Sequence, residues 1–155
     1  MNSSLIVHII ETLTSYLKNK VDLKYIQQQC YSLELLLIKK EDILIFVDKK
    51  GCSLLYNIYS YLLPDEHNKN TTHIIQEIYN NIFTVLIHCH FFDFELITSY
   101  LREPHFNNLF LKRAMQLYLQ QIAKGENLIN DFKAYHNQKA ILRIVKRELN
   151  SSRTQ

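Results

Sequence analysis

The sequence predicts an all-α fold, a compact right-handed stack of about seven to eight helices formed by residues 1–150. Three observations carry that expectation. Glycine and proline number two each in 155 residues, too few for the turns of a β-rich domain. Apolar residues make up 47%, enough for one packed interior at this length. Between Thr71 and Leu101, apolar side chains recur with the period of a helix and not of a strand.

The first helix carries Leu5, Ile9, Leu13, Tyr16 and Leu17, with Ser3 or Ser4 as its cap and Lys18 and Lys20 at its carbonyl end. Asp22 caps a second, whose inner side is Ile26, Cys30, Leu33 and Leu37. Its end, LELLLI, is almost wholly apolar and is expected deep in the core, finishing at Lys39-Lys40. A short helix over 41–48 follows, and Gly51 is placed for a positive φ between it and the next. That next helix runs from Leu54 to Leu63 and stops at Pro64, where PDEHNKNT reads as a loop.

The helix after the loop carries Ile74, Ile75, Ile78, Ile82, Val85, Leu86 and Cys89, with Phe83 and Ile87 outside that stripe. It is apolar on most of its circumference and is the expected central helix. An aromatic corner leads to Asp93, the expected cap of a short helix through Leu101. The chain turns at Pro104, and Asn107 or Asn108 starts a helix to Lys124 with a polar stripe of Lys112, Arg113, Gln116 and Gln120. Gly125 ends it, a last helix covers 127–149, and 151–155 is an expected frayed tail. The helices group in pairs of about 40 residues, near the period of armadillo and HEAT units.

Net charge is unevenly placed: −3 over residues 1–101 and +6 over 102–155. That asymmetry points to an acidic or polyanionic partner for the C-terminal third. On the last helix Lys139, Arg143, Lys146 and Arg147 fall on one face, opposite Ile141, Ile144, Val145 and Leu149. With Lys112 and Arg113 they are the candidate partner-binding residues. No aromatic residue interleaves with the four charges, which disfavours nucleic acid held by base stacking. Three widely spaced cysteines, Cys30, Cys52 and Cys89, and the lack of a secretory leader suit a reducing, intracellular compartment. No apolar run is long enough to span a membrane.

Other constellations carry less. His88 and His90 flank Cys89, but positions i and i+2 of a helix point about 200° apart and cannot share one ion. Both are read as surface or half-buried histidines closing a core helix, and no metal is expected. Cys89, His90 and Asp93 are neighbours at a helix end, without the elements that converge in a nucleophilic site. Glu41-Asp42 suits a helix start, and Asp65-Glu66 lies in the loop. The two glycines form no phosphate-binding loop. No catalytic residue and no cofactor are expected, and the chain reads as a non-enzymatic protein–protein interaction module.

Residues 30–101 resemble the N-terminal domain family of transcription elongation factor TFIIS, in the version carried by phosphatase-targeting subunits. The resemblance rests on the run Leu35, Leu36, Leu37, on Phe46, Gly51 and Leu54-Leu55, and on the helix opening Ile74-Ile75-Gln76. Cys52 and Ser53 stand where that version has a second glycine and a tryptophan. The resemblance implies a nuclear scaffold that docks short acidic and aromatic segments of partner proteins in transcription or phosphatase assemblies. The alternative is a viral Bcl-2-like bundle holding an amphipathic helix in an apolar groove, or a small effector or regulatory subunit. A right-handed stack of helices favours the first, a central hairpin wrapped by others the second.

Overall fold

The computed structural model describes residues 2–124 together with Arg143 and Arg147. The described residues are all-helical and hold no strand. The elements are α1 (Asn2–Asn19), α2 (Leu23–Leu36), α3 (Lys40–Asp48), α4 (Gly51–Leu62), a 3-10 turn (Leu63–Asp65), α5 (Thr72–Cys89), α6 (Phe94–Tyr100) and α7 (Pro104–Lys124). The last helix over 127–149, the break at Gly125 and the tail 151–155 lie outside the described residues, apart from Arg143 and Arg147, which are both helical.

α5 is the centre. Every residue from Asn81 to His90 is buried, so this stretch has no solvent face. α2 lies along it most extensively, and α3, α4 and α7 cover its other sides. α1 packs on α2, α3 and α4. The apolar all-round composition of this helix is therefore matched by all-round contact.

α2 begins as its sequence implies: the Asp22 carboxylate accepts the Lys24 backbone N–H at 3.1 Å. It ends earlier than Lys39-Lys40. Leu37 leaves the helix at φ −85°, ψ 67°. Its LELLLI end is also less deep than expected, because Leu35 is 57% exposed and Ile38 40%. α7 starts at Pro104 and not at Asn107 or Asn108. A proline suits the first helical position, since the N–H it lacks has no partner there.

Two sequence expectations fail for one reason each. Gly51 does not take the positive φ; Lys50 does, at φ 62°, ψ 34°. Gly51 is instead the first residue of α4, and a Cβ there would come within 3.0 Å of three carbons of the buried Phe46 ring. Close approach, not backbone freedom, selects this glycine. Asp93 is the residue before α6 but makes no side-chain cap. Burial raises the pKa of its carboxyl, and the nearby Cys52 thiol offsets part of that rise.

Gly51→Ala is expected to lower unfolding free energy by about 1–3 kcal/mol in a denaturant titration, the usual cost of overpacking. Adding Phe46→Leu makes room for the new methyl, so the double variant should lose less than the two single losses combined.

Candidate functional site

The corner between α5 and α6 brings the exposed Phe91 and Phe94 together with Arg143 and Arg147. α5 closes with the backbone N–H groups of Phe92 and Asp93 both donating to the Cys89 carbonyl at 2.9 Å. That double turn throws successive side chains to opposite sides. Phe91 is 52% and Phe94 46% exposed, while His90 is only 1% exposed. The Arg143 guanidinium lies 5.9 Å from the centre of the Phe91 ring. Arg147, one helical turn on, is exposed like Arg143. Among the described residues, neither arginine has a carboxylate within ion-pair distance.

His90 sits beneath this surface. Its ring is 5.2 Å from that of Phe94 and 5.9 Å from that of Phe110. Neither ring nitrogen has a hydrogen-bond partner. Burial, then Arg143 and Arg147, pull its pKa down to about 4. His88 is buried too, with Nδ1 3.3 Å from the Leu37 carbonyl freed where α2 ends. Both histidines thus lie deeper than the surface or half-buried placement their sequence position implies, because α2 and α7 close over the end of α5. No group of three or more metal-ligating side chains exists among the described residues.

Cys52, Cys89 and Asp93 do meet. Cys89 and the Asp93 carboxyl are the groups that act on the Cys52 thiol. Both cysteines are fully buried and unbridged. The Cys52 thiol is held well above its ordinary pKa by its bond to Cys89 and by burial. Burial likewise pushes Cys30 up to about 12. Thiols held in this form are poor nucleophiles.

A second polar line joins three elements around α4. The Tyr59 hydroxyl is 2.6 Å from His105 Nδ1, and His105 Nε2 is 3.0 Å from Glu66 Oε1. In the neutral ring Nε2–H donates to the carboxylate and Nδ1 accepts from the hydroxyl. Tyr56 donates to Glu103 beside it. Carboxylate, imidazole and hydroxyl stand in series, but burial first, with Glu103 and Glu66, pushes the Tyr59 phenol up to about 12. That phenol keeps its proton at neutral pH, and the line ties the loop after α4 to the start of α7. Spacing gave no sign of it, because its members are 39 and 46 residues apart.

The sequence-derived candidates divide. Lys139 and Lys146 lie outside the described residues. Arg143 and Arg147 are exposed at the corner. Lys112 is exposed on α7, at a separate place beside α5 residues Gln76 and Asn80. Arg113 has an inward role. Its Nε donates to Thr84 Oγ1 at 2.8 Å, and its NH1 group to Gln116 Oε1 at 3.2 Å. Its NH2 group is 3.9 Å from Glu34, which accepts from Asn81 at 3.1 Å. Asn81 and Thr84, two polar residues inside an apolar run, were the sequence signal for this network.

No protein-family model matches the chain, and no curated protein or solved structure shows a detectable match to it.

Two measurements test this geometry. A thiol reagent should label none of the three cysteines rapidly in the native protein and all three after guanidinium unfolding. His90 should make the fold acid-sensitive. The unfolded chain takes a proton at its ordinary pKa of 6.5, the folded one only at about 4. Stability therefore falls as pH drops through that window, by up to about 3 kcal/mol. His90→Phe, followed by denaturant titration at several pH values, should flatten this part of the profile.

Proposed function

We propose that the protein is a non-enzymatic interaction module that docks a short acidic segment with aromatic or aliphatic anchors on the α5–α6 corner. The observation that carries this reading is Arg143 set 5.9 Å from the exposed Phe91 ring, with Arg147 exposed one turn away. Rings at such a surface supply apolar contact area at low entropic cost. Arginines beside them pair carboxylates in a fork and steer an acidic chain into place. The excess positive charge of residues 102–155 supports the same choice of partner. So does the resemblance of residues 30–101 to TFIIS N-terminal domains, which would place the module in a nuclear transcription or phosphatase assembly.

A second reading has its own observation. A shallow groove of about 460 Å³ runs between α1 and α2, with Leu5, Ile9, Leu35 and Leu36 in its lining. Leu5 is 47% and Leu35 57% exposed. Together with a central α5 covered on several sides, this suits a bundle that takes an amphipathic helix. α6, at seven residues, is too short to form a long central hairpin with α5.

Selection from a displayed random-peptide library tests both. Acidic sequences bearing aromatic or aliphatic residues should be enriched. Binding should fall at least tenfold in Arg143→Glu/Arg147→Glu and in Phe91→Ala, and should weaken with salt. Enrichment of amphipathic helices whose binding is lost in Leu35→Glu but kept in the arginine variant would replace the first reading by the second.

A further inference from the structure

We propose that the cleft between α5 and α7 is a binding site for a tetrahedral oxyanion, free or esterified phosphate. The cleft has a volume of about 120 Å³ and is separate from the corner. Asn80 and His90 are ten residues apart on the chain, about 15 Å along a helix. Besides Tyr79, its polar lining is Gln76 and Asn80 from α5 with Lys112, Arg113 and Gln116 from α7. These five bear N–H donors, and no carboxylate among the described residues lines the cleft.

Those donors are only partly used. Arg113 spends Nε on Thr84 and one NH1 hydrogen on Gln116. Its NH2 group is 3.9 Å from Glu34, too long for a hydrogen bond. Gln116 gives its oxygen to Arg113, which leaves its NH2 to donate. Glu77, on the same helix as Gln76, pairs with His73 at 3.1 Å. Burial lowers the Arg113 pKa, and Glu34 offsets only part of that effect. Glu34, the carboxylate within ion-pair distance of Arg113, is not among the residues that line the cleft.

Shape and surroundings select the ligand class. The donor-bearing side chains come from two helices and together carry more N–H groups than the two oxygens of a carboxylate can use, which suits four oxygens better. Phe83 and Leu109 form an apolar floor, so charge-assisted bonds made against it are less screened than on open surface. Arg113 is already held in place by Thr84, so little of its freedom is lost on binding.

The test is an NMR titration of the ¹⁵N-labelled chain with inorganic phosphate, and in parallel with a phosphoserine peptide, against chloride at equal ionic strength. Saturable shifts of the Gln76, Asn80, Lys112 and Gln116 amides are expected with phosphate or the peptide and not with chloride. The tighter of the two probes identifies the free or the esterified source. Lys112→Gln, an exposed change, should weaken binding about tenfold, the loss of one charge-assisted contact. Lys49→Gln, on a surface outside the cleft, should leave it unchanged. Shifts absent with both probes, shifts reproduced by chloride, or binding by Lys112→Gln as tight as that of the parent would each overturn the proposal.

Discussion

The desolvation of α5 sets the terms for everything packed on it. From Asn81 to His90 no side chain can turn to water. A polar group there must find a partner on another helix or stand at a cost of about 1–3 kcal/mol. Asn81 donates to Glu34 at 3.1 Å and lies 3.5 Å from the Gln27 amide, both on α2. Thr84 accepts from Arg113 of α7. His88 reaches the Leu37 carbonyl just past α2. Apolar packing tolerates some slippage of one helix on another; directional bonds between named partners do not. The register of α2 and α7 on α5 follows from these few contacts.

An aromatic cluster does the complementary work on another side of α5. Phe83 meets Tyr59 of α4 at 6.0 Å, and Phe106 and Phe110 of α7 at 5.0 and 6.4 Å. Tyr56 stacks on Tyr100 of α6 at 4.1 Å. Phe83 and Thr84 are adjacent and so about 100° apart around the helix. α7 is therefore gripped twice, by rings at its start and by Arg113 further along. The Glu66–His105–Tyr59 line borders the ring cluster, where the polar edges of Tyr59 and His105 need partners. Without such a border, a core this rich in tyrosine would bury hydroxyls unpaired, as it does at Tyr79.

Much of the fold was legible in the sequence because its signals are local. The period of Ile75, Ile78, Ile82 and Leu86 marks α5, and Asp22 marks the start of α2. Local turn rules give Gly51 a positive φ, which Lys50 takes instead. The need for glycine comes from Phe46, which one-dimensional turn rules do not contain. Asp93 looked like a cap because capping is a local rule. The carboxyl makes no cap hydrogen bond and lies instead within reach of a buried thiol 41 positions earlier, which no local rule contains. For the site, the charge pattern picked out Arg143 and Arg147 but grouped Arg113 with them. A helical wheel records which residues share a face, not which face another helix covers.

Within the stretch from Asn81 to His90 the pairing rule fails at His90, and the place matters. An imidazole with both nitrogens unpartnered lies directly under the corner that exposes Phe91 and Phe94. Local costs of this kind collect where some demand competes with stability. Burial is the main force keeping the ring neutral, but Arg143 and Arg147 add to it. A carboxylate docked on those arginines would cancel part of their field, so the bound protein would hold a proton on His90 more readily than the free one. Linkage runs both ways: whatever makes protonation easier when the partner is present makes the partner bind more tightly as protons become available. If the corner docks an acidic segment as proposed, the arginines are the groups through which the buried ring and that segment would sense each other.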